Sequence, residues 1–230
     1  MVNDNFKTII VVPAYNEAII LEKVLSELVN YFNPQQIVVV DDGSSDETYL
    51  IAQKLGAHAL QHSINRGAGA ATKTGIVYAF NYLQADAIVT FDADGQHDHR
   101  DVQNLIQPIA ERRADVVIGS RFLIKQDIPL LRIVANWLAN LFTFLLFGLW
   151  VSDSQTGFKA ISRLAWDKIE IHGDRFEFCS EIVAEIKKNK LKYVEIPVKV
   201  YYSKYSQSKG QNFFVGFKTL IRIIVNSLSK

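Results

Sequence analysis

Two carboxylates separated by one residue, Asp92 and Asp94, close an apolar run at 87–91, with Ala93 between them and Gln96 just beyond. In an extended segment, positions two apart point to the same side, so both acids face one space. Two like charges held together there are costly without a cation between them. Hard oxygen donors of this kind select Mg²⁺ or Mn²⁺. An ion so held, bridging two phosphates, is a Lewis acid for a departing diphosphate. A solvated acidic turn would read the same way, so the pair alone does not settle the chemistry.

A second pair, Asp41 and Asp42, follows the apolar run 36–40 and precedes Gly43. The glycine permits a turn, and Ser44-Ser45-Asp46-Glu47 has the spacing of a capping box. With the serines capping a helix, the carboxylates are left to accept hydrogen bonds from a base or a ribose. A third run, 8–13, ends in Pro13-Ala14-Tyr15-Asn16-Glu17. Here proline sets a rigid turn, Tyr15 can pack against a base and Glu17 adds an acid. Asn16 reads as the N-cap of the helix that follows.

These segments need elements to hold them. The runs at 8–13, 36–40, 58–62, 87–91 and 115–119 are mostly continuous and β-branched, as in strands covered on both faces. Between them, 18–32, 45–55, 68–82 and 101–112 have helical patterns. Strand alternating with helix predicts an α/β fold with a doubly wound, mostly parallel sheet. Ligands of such sheets sit beyond the carboxyl ends of the strands. All three acidic segments occupy such ends, and they are expected to converge on one edge. Gly67-Ala68-Gly69 matches only the first two glycines of a dinucleotide fingerprint and follows no convincing strand.

A chain of 230 residues, 49% hydrophobic and 21% charged, suits one domain with a sizeable core. Its net charge of +1 argues against a nucleic-acid partner. Cys179 is the single cysteine, which excludes an intrachain disulfide and fits a reducing compartment. The first residues, with acid and amide groups and a short apolar run, are not expected to be a signal peptide. Charge is unevenly spread: 182–230 holds ten basic and two acidic residues, against 15 and 22 before it. A basic terminal quarter suits an anionic partner: phosphate, diphosphate or an acidic membrane surface.

The segment 133–151 has no charge, and 15 of its 19 residues are apolar. That approaches the ~20 residues of a spanning helix. A crossing would, however, put Asp153 onward across the membrane from the first 130 residues. Asn136, Asn140 and Thr143 also form a polar stripe along one helical face. The expectation is a helix lying in a membrane interface or buried in protein. A second apolar helix, punctuated by Lys218 and Arg222, is expected over 213–228.

Taken in order, P-x-Y-N-E, D-D-G-S-x-D and D-x-D resemble the motifs of the family 2 glycosyltransferases, from about 8 to 121 and more loosely to 209. Gly119-Ser120-Arg121, Arg132, Asp153-Ser154-Gln155-Thr156-Gly157-Phe158-Lys159 and Ser206-Gln207-Ser208-Lys209, together with D-A-D-x-Q, make the order similar to dolichol- or polyprenyl-phosphate sugar transferases. The resemblance implies a glycosyltransferase A-type fold with C-terminal amphipathic helices. It implies a single domain, 1–230, with a nucleotide-sugar half at 1–121 and an acceptor and membrane half at 122–230. Donor contacts are implied at Pro13, Tyr15, Glu17, Asp41, Asp42, Asp92 and Ala93. A Mg²⁺ or Mn²⁺ ion is implied at Asp92, Asp94 and Gln96. Asp94, Arg121 and Arg132 are implied as catalytic, and Arg121, Arg132, Ser208 and Lys209 as acceptor-phosphate contacts. The partners implied are a nucleotide-sugar, a polyprenyl phosphate, a membrane surface and a small membrane protein. The location implied is cytoplasmic, peripheral on the inner membrane face.

One departure bears on the acceptor. Soluble members often carry E-D-x-x-L as a base, where this chain reads Phe176-Glu177-Phe178-Cys179-Ser180-Glu181. A sugar hydroxyl must lose a proton to attack and needs a base. A phosphate monoester is already anionic and needs only positioning. The mismatch favours a lipid-phosphate acceptor, and attack from the face opposite the diphosphate is expected to invert configuration. It leaves Glu177, Glu181 and Asp153 as the candidate bases. Two rivals stay open: a soluble glycosyltransferase acting on a saccharide for cell-surface polysaccharide synthesis, and a non-catalytic nucleotide-sugar-binding module. An obligatory Glu181 would favour the first, and a dispensable Asp94 the second.

Overall fold

The computed structural model describes residues 6–175 and 177–202. The five apolar runs form β1 (Thr8–Ala14), β2 (Ile37–Asp41), β3 (His58–Gln61), β4 (Ala87–Thr90) and β5 (Val116–Ser120). The helices between them are α1 (Ala18–Val29), α2 (Thr48–Lys54), α3 (Ala68–Asn81) and α4 (Asp101–Ala110). Beyond β5 come α5 (Leu130–Phe147), β6 (Lys159–Ser162), α6 (Arg163–Trp166), α7 (Glu177–Lys188) and β7 (Tyr193–Pro197). The seven strands make one sheet in the order β3-β2-β1-β4-β6-β5-β7. All pairings are parallel except those of β6, which runs antiparallel to both β4 and β5.

Two-residue periodicity lets each central strand face two cores at once. Ile10, Val12, Val39 and Val89 pack with Leu21 and Leu25 of α1 and Leu105 of α4. Ile9, Val11, Val38 and Val40 pack on the other face with Ile76 and Phe80 of α3 and Ile182 of α7. This double burial is why the strands read as continuous apolar runs.

The expected helix caps are corrected. Asn16 has φ +53° and does not cap α1; Glu17 is the N-cap residue, with no side-chain cap bond. Asn16 instead receives the Ser45 N–H at 2.9 Å and donates its own N–H to Ser44 Oγ at 2.8 Å. The serines likewise do not cap α2, which starts at Thr48, where Asp46 Oδ1 accepts the Thr48 N–H at 3.0 Å. Asp46 Oδ2 accepts from the Ala18 N–H and Thr48 Oγ1 from the Glu17 N–H. Because β1 and β2 are neighbours, the polar residues of each loop satisfy the backbone of the other.

α5 is inside out. Its buried residues are Asn136, Asn140 and Thr143, while Leu130, Leu131, Val134, Trp137, Leu138 and Leu145 are exposed. Only 17% of its 18 residues are buried, which overturns the alternative of a helix buried in protein. By length and composition α5 could cross a membrane, but its polar stripe is bonded to the rest of the fold. It ends at Gly148, in the left-handed region at φ +68°, whose N–H reaches the Phe144 carbonyl. The helix expected over 213–228 lies outside the described residues, as do Ser208 and Lys209.

Candidate active site

Adjacency of β2, β1 and β4 brings the three acidic segments to one edge. The Asp42 N–H donates to the Ala14 carbonyl at 2.8 Å and the Phe91 N–H to the Val11 carbonyl at 2.9 Å, so the three tips are stitched side by side. Pro13 is half-buried, Glu17 is buried, and the Tyr15 ring is 46% exposed at the mouth.

Asp41 and Asp42 are both buried and have different partners. Asp41 accepts the Ser44 N–H at 3.0 Å and Gln61 Nε2 at 2.8 Å. Asp42 meets His62 Nδ1 at 2.7 Å and accepts the N–H groups of Arg66 and Gly67 at 3.0 and 2.6 Å. Asp42 thus ties down the loop 62–67. A Cβ at Gly67 or Gly69 would strike the backbone of Asp174 or Arg175. The two glycines therefore serve close packing of that loop.

At the end of β4, Asp92 and Asp94 carry the strongest local electrostatics. Burial alone would raise the Asp92 carboxyl. The His97 hydrogen bond at 2.9 Å, with positive charge from His97, Arg121 and Lys159, outweighs it and holds Asp92 below its ordinary value. His97 is pinned by ring contacts to Phe91 and Phe158. Burial raises the Asp94 carboxyl, and the negative charge of Asp92 raises it further. Gln96 steadies Asp94, donating its N–H at 3.0 Å to one oxygen and its Nε2 to the other. Gly157 faces Asp92: a Cβ there would run into the carboxylate.

Arg121, at the end of β5, is gripped from the segment 151–158. Its Nε and Nη2 donate to the two oxygens of Asp153 at 2.7 and 2.8 Å, and its N–H reaches Oδ2 at 3.2 Å. Burial opposes the guanidinium charge, but the charge and hydrogen bonds of Asp153 more than restore it. Asp153 is fully buried and the Arg121 side chain 17% exposed, so this is not a surface ion pair. Lys159, at the start of β6, is 1% exposed and donates to the Thr156 carbonyl.

The described chain ends against this cluster. Val200 bridges to His97, the Tyr201 N–H donates to the Gln96 carbonyl at 2.9 Å, and the Tyr201 hydroxyl donates to Asp98 at 3.1 Å. Arg100, bonded to Asp98, is the main cause that lowers its carboxyl to about 2. Arg132, in the first turn of α5, lies 4.9 Å over the Tyr202 ring.

The structure thus brings Asp41, Asp92, Ala93, Asp94 and Gln96 to one edge, with Arg121 electrostatically in reach of Asp92. Arg132 lies with Tyr202 at the neighbouring start of α5. Of the candidate bases, Glu181 accepts the N–H groups of His172 and Gly173, and Asp153 is committed to Arg121. His97 and the buried charge of Lys159 were not singled out from sequence. His97 directly follows D-A-D-G-Q, and Lys159 closes the D-S-Q-T-G-F-K run, which were the available signals.

Among the described residues, no three His, Cys, Asp or Glu side chains form a metal cluster. The donor set that could hold a divalent cation is Asp92 and Asp94 with the Gln96 amide oxygen. It fits one: Asp94 is raised first by burial and then by the charge of Asp92 beside it, and a cation between the two carboxylates would offset both.

Sheet order and acidic edge define a glycosyltransferase A-type nucleotide-sugar fold. Glucosyl-3-phosphoglycerate synthase from Mycobacterium tuberculosis, crystallised with Mn²⁺, uridine diphosphate and phosphoglyceric acid, superposes with a TM-score of 0.76 at 16% identity, covering 98% of this chain and 78% of that one. The chain belongs to Glycosyl transferase family 2, whose model matches residues 9–169. It is 37% identical to the UDP-N-acetylglucosamine–dolichyl-phosphate N-acetylglucosaminyltransferase of Methanococcus voltae, covering 96% of each chain. It is 29% identical to the polyprenol monophosphomannose synthase of Mycolicibacterium smegmatis, over 84% of this chain and 76% of that one.

Proposed function

We propose that this glycosyltransferase moves a sugar from a nucleotide-sugar to a polyprenyl phosphate, with inversion, at the cytoplasmic face of a membrane. The observation that carries the reading is the juxtaposition of the Asp92–Asp94 edge and the held Arg121 with a helix whose apolar side faces outward. The names of the Methanococcus and Mycolicibacterium relatives support the acceptor class.

Tyr15 and Asp41 bind the base and ribose, with Pro13, Glu17 and Asp42 shaping that pocket. Asp92, Asp94 and Gln96 would hold Mg²⁺ or Mn²⁺, which would supply charge neutralisation to the departing diphosphate. Ala93, with no polar side chain, leaves room beside the two carboxylates. An oxygen of the acceptor phosphate bonds to the anomeric carbon. The bond from that carbon to the diphosphate oxygen breaks, and its electron pair leaves with the nucleoside diphosphate. Arg121 and Arg132 neutralise phosphate charge along this path, preorganised by Asp153 and by the Tyr202 ring. Ser208 and Lys209, outside the described residues, are the further acceptor-phosphate contacts of this reading. No base is required, because the attacking phosphate is already ionised; this agrees with Glu181 and Asp153 having structural partners.

The outward face of α5, Trp137 and Leu138 among it, rests in the lipid interface, so the protein is peripheral. This surface is also where a small membrane protein partner meets the enzyme. The test incubates the protein and Mn²⁺ with a panel of radiolabelled nucleotide-sugars and polyprenyl phosphate. Label entering an organic-extractable product supports the reading. No such label with any donor, where a known enzyme works, overturns it.

A further inference from the structure

One side chain on α5 spans the residue that holds Arg121. Asn140 Nδ2 donates to the Ser152 carbonyl at 2.7 Å, and its Oδ1 accepts the Ser154 N–H at 2.9 Å. Both peptide groups flanking Asp153 therefore end on the same carboxamide. Asn140 is 4% exposed, and Asp153 and Ser154 are fully buried. From the other side, Glu195 Oε1 of β7 accepts the Ser152 N–H at 2.7 Å and its hydroxyl at 2.6 Å. With residues 152 and 154 both fixed, the Asp153 carboxylate is aimed at Arg121. Asn136, one turn earlier, reaches the same Ser152 carbonyl at 3.3 Å. The opposite face of this helix is the apolar one. A shift of α5 along or about its axis thus moves the turn, the carboxylate and the guanidinium together.

We propose that Asn140 is a positioning residue that couples the seating of α5 to the aim of Arg121. The acceptor phosphate is then gripped best when α5 rests on lipid. Only two rigid links are involved, from amide to turn and from turn to guanidinium. The inference rests on the polyprenyl-phosphate reading above.

The test uses the full chain with Asn140→Leu, close in shape but without hydrogen bonds, and Asn140→Ala as a second variant. Transfer is measured to polyprenyl phosphate in anionic phospholipid vesicles and to a short, water-soluble isoprenyl phosphate. The expected result is a KM for the vesicle-borne acceptor raised ~10-fold or more, since small misplacement of a positioning group is amplified in rate. The donor KM stays unchanged, and so does co-sedimentation with vesicles. The preference of the unmodified protein for the vesicle-borne acceptor disappears in the variants. A merely structural asparagine would lower the yield of folded protein, or move both KM values together, and either result without the split overturns the proposal. A second readout needs no turnover. Amide exchange at Arg121 and Ser154 should slow when the unmodified protein binds vesicles and should not respond in Asn140→Leu. If the unmodified protein makes no lipid-linked sugar, the acceptor reading fails while exchange still decides the coupling; equal vesicle response in both proteins overturns it.

Discussion

Replacing Asp153 with Asn keeps the shape of the side chain and removes its charge, which tests whether the Arg121 pair is buried and matched. Arg121 gives Asp153 two guanidinium bonds, at 2.7 and 2.8 Å, and one backbone bond at 3.2 Å. Breaking a buried pair by altering one partner costs about 3–5 kcal/mol, because a desolvated charge is left behind. Asn retains one acceptor oxygen, so the lower end, ~3 kcal/mol, is expected. For a chain of this size each kcal/mol moves Tm by about 2–4 °C, giving a fall of roughly 6–12 °C. Urea unfolding followed by tryptophan fluorescence should show a lower midpoint with an unchanged slope. The double variant Arg121→Met with Asp153→Leu should be less destabilised than the sum of the two single changes, since it leaves no orphaned charge. A loss below about 1 kcal/mol for Asp153→Asn, the range of surface ion pairs, would refute the assignment. So would strict additivity in the cycle.

Other outcomes follow from the same geometry. Asp94→Asn should leave the fold intact and reduce transfer by about 10²–10³-fold, as expected for losing charge stabilisation at a diphosphate; full Mn²⁺-assisted donor uptake by calorimetry would contradict it. Gly157→Ala should lose activity at normal thermal stability, because the new methyl pushes Asp92 aside; unchanged kcat/KM would show that the carboxylate has room to move. Trp137→Ser removes roughly 100 Å² of outward apolar area, worth about 2.5 kcal/mol, or ~50- to 100-fold, in vesicle partitioning. Its urea midpoint should stay put, and a variant that co-sediments as before would count against an interfacial α5.

What the sequence disclosed divides along physical lines. Val38, Val39 and Val40, or Ile9 to Val12, announce buried strands because both their faces are covered, and the acids beyond β1, β2 and β4 mark the functional edge. β6 stayed hidden because four residues, Lys-Ala-Ile-Ser, leave no periodic signal and one of them is a buried cation. β7 sits at the sheet edge, where burial is partial and Glu195 interrupts the apolar pattern. Asn16 and Ser44 look like caps because local sequence reports only local partners; their real partners lie 28 and 29 residues away. The stripe of Asn136, Asn140 and Thr143 was visible, but its direction was not. Periodicity gives two faces and leaves their orientation to whatever lies on each side.

That orientation bears on how the protein could be handled. The side chains that bond α5 to its neighbours are the amides of Asn136 and Asn140, while Leu130, Leu131, Val134, Trp137 and Leu145 are exposed among the described residues. Repainting those five outer positions with Glu, Lys and Gln would leave the Asn136 and Asn140 hydrogen bonds in place and raise the charge of the surface. The expected result is a protein that no longer co-sediments with vesicles, obtained by changing the coat of one helix and nothing beneath it.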